Sequence, residues 1–163
     1  MWKIIQQLCE DIRGNLTVYE AVVLMMTALG SLRCHDKSRV IPVGYSMLLI
    51  LYITLLRRTP EYNEEIRYHI SFLPDVKVWT GNLLNVILYI PLGGTIYNMA
   101  ASIKGTAFAA LLSSVLCEII QYFTHRGVAD INDVLFNLIG ACAGALLFRA
   151  FRAFKKKKDP VSY

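Results

Sequence analysis

The sequence predicts an all-α fold, a polytopic transmembrane helix bundle of about five spans. Three observations carry that reading. Of 163 residues, 55% are hydrophobic and only 18% charged, against roughly 45–50% and about 25% in soluble domains. Mean hydropathy is +0.45, so most residues need apolar surroundings. The apolar residues fall into five blocks, each near the roughly 17–25 residues that cross a bilayer as a helix. The length suits one domain. The composition excludes a disordered chain, a collagen and a disulfide-bonded mini-protein.

Taken in order, Met1 to Asn15 place Trp2, Ile4, Ile5, Leu8 and Ile12 at near-helical spacing, the pattern of a short amphipathic helix on the membrane surface. The first span runs from about Leu16 to Leu32 and is the weakest, being short and containing Glu20. Arg33, Cys34, His35 and Asp36 follow it, where a signal peptide would carry a small-residue cleavage site, so it reads as a retained helix, spanning or interfacial. The second span covers about Val40 to Leu56, the third Asn82 to Ala101, the fourth Thr106 to Phe123 and the fifth Val134 to Phe151. Pro91 cannot donate to the Ile87 carbonyl, and Gly93 and Gly94 follow, so a kink is expected in the third helix. Gly140 and Gly144 form a G-x-x-x-G step among Ala141, Ala143 and Ala145, which lets a neighbouring helix approach closely. Arg57 to Thr80 is the one long polar connection. The four cysteines are scattered, with no C-x-x-C and no metal-ligand spacing.

The net charge of +5 comes from 17 basic against 12 acidic residues, and its densest run is Lys155 to Lys158, directly after the last apolar block. That placement suits an anchor to an anionic leaflet and not nucleic-acid binding. With the C-terminus in the cytoplasm, five spans put ten basic residues inside: Arg33, Lys37, Arg39, Lys104, Arg149, Arg152 and Lys155 to Lys158. The other seven fall outside. This bias orients the chain with the Arg57–Thr80 and Thr124–Asn132 loops together on the outer face.

Polar residues inside spans are costly, at about 2.5–3.5 kcal/mol for a charged one, and are functional candidates for that reason. Glu118, Gln121, Tyr122 and His125 share one face at the end of the fourth span. Asp130, Asp133 and Asn137 share a face at the start of the fifth, and Asn82, Asn85 and Tyr89 do so in the third. All three faces fall near one membrane surface and can converge there. Asp130 is also a good N-cap, Asp133 stands where a capping-box acid would, and the asparagines suit inter-helix hydrogen bonds.

The stretch Asn82 to Phe151 resembles the VanZ-like family of small bacterial membrane proteins. The matching elements are N-x-x-x-x-x-x-P-L-G (Asn85, Pro91 to Gly93), E-x-x-Q (Glu118, Gln121) and R-x-x-x-D-x-x-D-x-x-x-N-x-x-G (Arg126 to Gly140), with YITLLRR (Tyr52 to Arg58) like the basic end of that family's first helix. The resemblance extends from near Ser46 to Arg152, which implies a four-helix family core plus one N-terminal helix. The expected organisation is a segment 1–39, a membrane domain 40–152 and a basic cytoplasmic tail 153–163. It further implies a multi-pass protein of the bacterial plasma membrane that contributes to resistance to teicoplanin-type lipoglycopeptides.

The expected site comprises Glu118, Asp130 and Asp133 as acid-base residues, with Asn85, Gln121, Tyr122, Arg126 and Asn137 for binding. No metal is assigned and no cofactor is indicated. The expected partners are the lipid bilayer, a lipoglycopeptide or lipid-linked envelope precursor, and a membrane-protein partner. The alternative is a membrane enzyme acting on a lipid-linked or cell-envelope substrate, with the three carboxylates in acid-base or cation-binding roles and Arg126 clamping a phosphate.

Overall fold

The computed structural model describes residues 20, 22–23, 25–27, 30, 40–56, 66–67 and 76–158. The expected amphipathic lead-in lies outside them. In the first apolar block every described residue is helical. There Glu20 and Thr27 are buried, and the Thr27 hydroxyl donates to the Val23 carbonyl at 2.7 Å.

Helix α1 (Val40–Leu51) widens at its end into a π-helical turn, Tyr52–Leu56, so the second apolar block is helical throughout. Helix α2 spans Val76–Ala100, α3 Ile103–Thr124 and α4 Ile131–Lys158. The last three are each long and apolar enough to cross a membrane, while Val40–Leu56 is apolar but shorter. Helix α2 begins six residues before the expected third span, and α4 runs seven beyond the expected fifth. An apolar block marks the lipid-embedded part of a helix; helix-forming residues such as Arg152 and Lys155 carry the backbone ladder onward into the interface. The α2 helix continues unbroken through Pro91.

The two turns that flank α3 are short and capped. Ser102 opens α3, its hydroxyl accepting from the Gly105 amide at 3.1 Å. At the other end His125 is left-handed (φ 53°); its amide donates to the Tyr122 carbonyl at 3.3 Å and the Arg126 amide to Gln121 at 3.1 Å. That pair of bonds is the Schellman arrangement, which ends a helix while satisfying its last carbonyls. Two-residue strands, β1 (Ile66–Arg67) and β2 (Ala129–Asp130), pair in parallel with Ile66 opposite Ala129 and Arg67 opposite Asp130. The long connection is thereby fastened to the α3–α4 turn, so the two loops expected on one face do share one.

Helices α2 and α4 run parallel at very close range. A Cβ placed on Gly93 would collide with the Ala141 carbonyl, one on Gly140 with Val86, and one on Gly144 with Ile90, backbone in each case. Glycine is required at such an approach. The G-x-x-x-G step therefore works as expected, against α2 and with Gly93 as its counterpart. Around this seam Tyr89, Leu92, Ala110, Ala141 and Ala145 are fully buried.

Helix α3 shows how the bundle is solvated. Its inward face carries Ser113, Ser114, Cys117, Glu118 and Gln121, whereas Phe108, Leu112, Leu116, Ile119 and Phe123 point outward and are exposed. In water this polarity would be inverted. Surrounded by lipid it is the stable arrangement, because polar side chains can be satisfied only against one another.

Candidate functional site

The polar faces of α2, α3 and α4 meet at the end of the bundle where α1 and α3 finish and α2 and α4 begin. Glu118 is buried, and its Oε2 accepts from the Asp130 amide at 2.9 Å. Asn85 Nδ2 donates to Asp133 Oδ1 at 2.6 Å, joining α2 to α4. Deeper in, Asn137 Nδ2 donates to Ser114 Oγ at 2.8 Å, joining α4 to α3. Glu118 and Asp133 each make a further interaction besides these.

Asp130 is the N-cap of α4. Its Oδ1 accepts from both the backbone amide and the side-chain Nδ2 of Asn132, each at 2.8 Å, which satisfies a free amide of the first turn. Asp133, one turn on, reaches across to α2, a role beyond the capping box.

Arg126 and Gln121 face α1. Arg126 Nη1 donates to the carbonyls of Leu55 at 2.9 Å and Leu56 at 3.4 Å, and Gln121 Nε2 donates to the carbonyl of Thr54 at 3.2 Å. The carbonyls at the end of a helix have no partners within it. In an apolar setting, donors from a neighbouring helix take that place. Tyr122 stands half-buried beside this set, its ring edge-on to Phe123 with centroids 5.5 Å apart.

Of the eight residues expected to form the site, seven make hydrogen bonds in this region, in separate sets: Glu118 with Asp130, Asn85 with Asp133, Asn137 with Ser114, and Gln121 and Arg126 with the carbonyls at the end of α1. Tyr122 borders them. Sequence reasoning missed Ser114, Asn132 and the carbonyls of Thr54 to Leu56. A serine within an apolar helix gives little signal, although Ser114 lies four residues before Glu118 and so on its face. The carbonyl acceptors carry no side-chain signal at all. Among the described residues no group of three or more His, Cys, Asp or Glu side chains could hold a metal ion. An apolar cleft of about 430 Å³, lined by Val23, Met26, Thr27, Ile41, Pro42 and Tyr45, lies at the other end of α1 and is separate from the polar assembly.

Long apolar helices, polar side chains buried among them and an apolar exterior define a helical membrane protein. The VanZ/LLP1 family model matches residues 16–152, and the chain belongs to that family. The match takes in the first apolar block, which the motif resemblance from Ser46 onward had left outside. No curated protein and no solved structure matches the chain.

Proposed function

We propose that the polar assembly is an outward-facing recognition site through which this VanZ-like membrane protein contributes to resistance to teicoplanin-type lipoglycopeptides. The observation that carries the reading is the gathering of Asn85, Glu118, Asp130, Asp133 and Asn137 from three helices at one end of an otherwise apolar bundle. Hydrogen-bonding groups held in fixed geometry beside lipid suit a ligand that is polar at one end and acylated at the other. An acyl tail would favour partition to such a place, at about 0.8 kcal/mol per buried methylene. The Lys/Arg distribution supports the outward placement.

The test compares teicoplanin with vancomycin in a bacterial host expressing wild type, Glu118→Gln or Asp133→Asn, with membrane levels matched by blotting. Both variants are expected to insert normally and to lose protection against teicoplanin, with vancomycin sensitivity unchanged throughout. Equal changes for the two drugs, or full protection by both variants, would refute the reading.

A membrane enzyme for a lipid-linked or envelope substrate draws on the same three carboxylates. The contacts favour recognition, because Glu118 and Asp133 each accept a fixed hydrogen bond and Asp130 caps α4. Turnover of a lipid phosphate by the pure protein would reverse that preference.

A further inference from the structure

The polar faces continue inward to the middle of the bundle. Tyr89 and Ser114 fall near the midpoints of the 22-residue spans Trp79–Ala100 and Ile103–Thr124. Tyr89 is wholly buried, with its hydroxyl beside Ser113, Ser114 and Cys117. Asn137 is 5% exposed and holds Ser114 through its Nδ2. Among the described residues Asn137 Oδ1 and, nearer the mouth, Gln121 Oε1 have no hydrogen-bond partner, and the Tyr89 hydroxyl, though close to Ser113, Ser114 and Cys117, makes no well-formed hydrogen bond to them. A buried polar group left unsatisfied costs about 1–3 kcal/mol.

Hydroxyls elsewhere in the bundle are satisfied on their own helices. Thr95 donates to Leu92 at 2.9 Å, Ser113 to Ala110 at 2.9 Å and Thr106 to Ser102 at 2.8 Å, all carbonyls. The unpartnered atoms lie instead along the polar faces, from Gln121 at the mouth to Tyr89 at mid-span. Beyond Tyr89 the way is closed. Leu92, Ala141 and Ala145 are fully buried, and the backbones of α2 and α4 touch at Gly93 and Gly144.

We propose that the level of Tyr89, Ser114 and Asn137 is an internal water-binding site, the floor of a one-ended hydrated shaft that opens at the Arg126 end. A buried water takes two to four polar partners. Here the Tyr89 hydroxyl donates to the water, the water donates to Asn137 Oδ1, and the Ser114 hydroxyl is a third partner. A second water at Gln121 Oε1 continues the file toward the mouth. The proposal is independent of what the mouth recognises.

Cys117, buried beside Tyr89, is a native reporter, since the S–H stretch is seen apart from other protein vibrations. The protein carrying Cys9→Ser, Cys34→Ser and Cys142→Ala, so that Cys117 alone gives the band, is placed in lipid nanodiscs and moved into D₂O. The expected result is rapid conversion of S–H to S–D while the amides of α2 and α4 stay protonated. Filling the floor by Asn137→Leu should slow that conversion about tenfold or more, because exchange then requires local opening. An S–H band that decays only with the helix amides would overturn the proposal.

A second measurement covers the case in which Asn137→Leu does not fold. In a hydrated floor, Tyr89→Phe loses a water-mediated bond and lowers the Tm. In a dry floor it removes an unsatisfied hydroxyl and raises the Tm, which would equally overturn the proposal.

Discussion

Asn85 and Asp133 show how one pair of side chains ties two helices together. The 2.6 Å bond between them has an ionisable acceptor, and hydrogen bonds to ionised groups are shorter and stronger than neutral ones. A double-mutant cycle of Asn85→Leu and Asp133→Leu, read by unfolding in bicelles, should give a coupling near the top of the range for inter-helix bonds, about 1.7 kcal/mol. The same cycle on Asn137 and Ser114, a neutral pair, should fall near the average of about 0.6 kcal/mol. Equal couplings would mean that the carboxylate adds nothing. Asn85, Asp133 and Asn137 were legible in the sequence because each interrupts an apolar run at helical spacing. The partners of Gln121 and Arg126 were not. They are carbonyls of Thr54 to Leu56, and every residue has a carbonyl. Only the π-helical end of α1 selects these three.

The parallel seam of α2 and α4 is where the helices are most sensitive to change. Gly93, Gly140 and Gly144 meet backbone atoms that cannot rotate away. Gly93→Ala or Gly144→Ala is therefore expected to destabilise by the upper part of the overpacking range, about 3 kcal/mol. Gly94 offers the contrast. A Cβ there would stand 3.6 Å from the Gly144 carbonyl oxygen and 3.9 Å from the Phe148 ring, ordinary contact, so Gly94→Ala should fold with the wild-type Tm or slightly above it. Thermal unfolding of the three variants in one detergent checks both expectations. The G-x-x-x-G step was legible on α4, whereas its partner was not, because Gly93 and Gly94 stand side by side and nothing local tells which of them faces the seam. The helix ends were legible only to within a few residues, since apolar length records where lipid ends and not where the backbone ladder ends. The Schellman turn at His125 escaped for a related reason, as no glycine marks the left-handed position.

At the scale of the whole molecule, α3 turns apolar side chains to the rim and polar ones inward, beside an apolar core along the α2–α4 seam. Reporter fusions test its orientation. Alkaline phosphatase inserted in the connection between α1 and α2 should be active, and the same reporter after residue 158 should be inactive. The opposite pattern would place the polar assembly on the cytoplasmic side and remove its access to an extracellular drug. The link between that connection and the bundle adds a mechanical property. Asp130 pairs with Arg67 in the short ladder, donates a hydrogen bond from its amide to Glu118 and caps α4 with its carboxylate. One residue thus joins the long connection, a buried acid and the first turn of a helix in series. A molecule that grips the loop would pull on Glu118 through a single peptide unit, without ever entering the bundle.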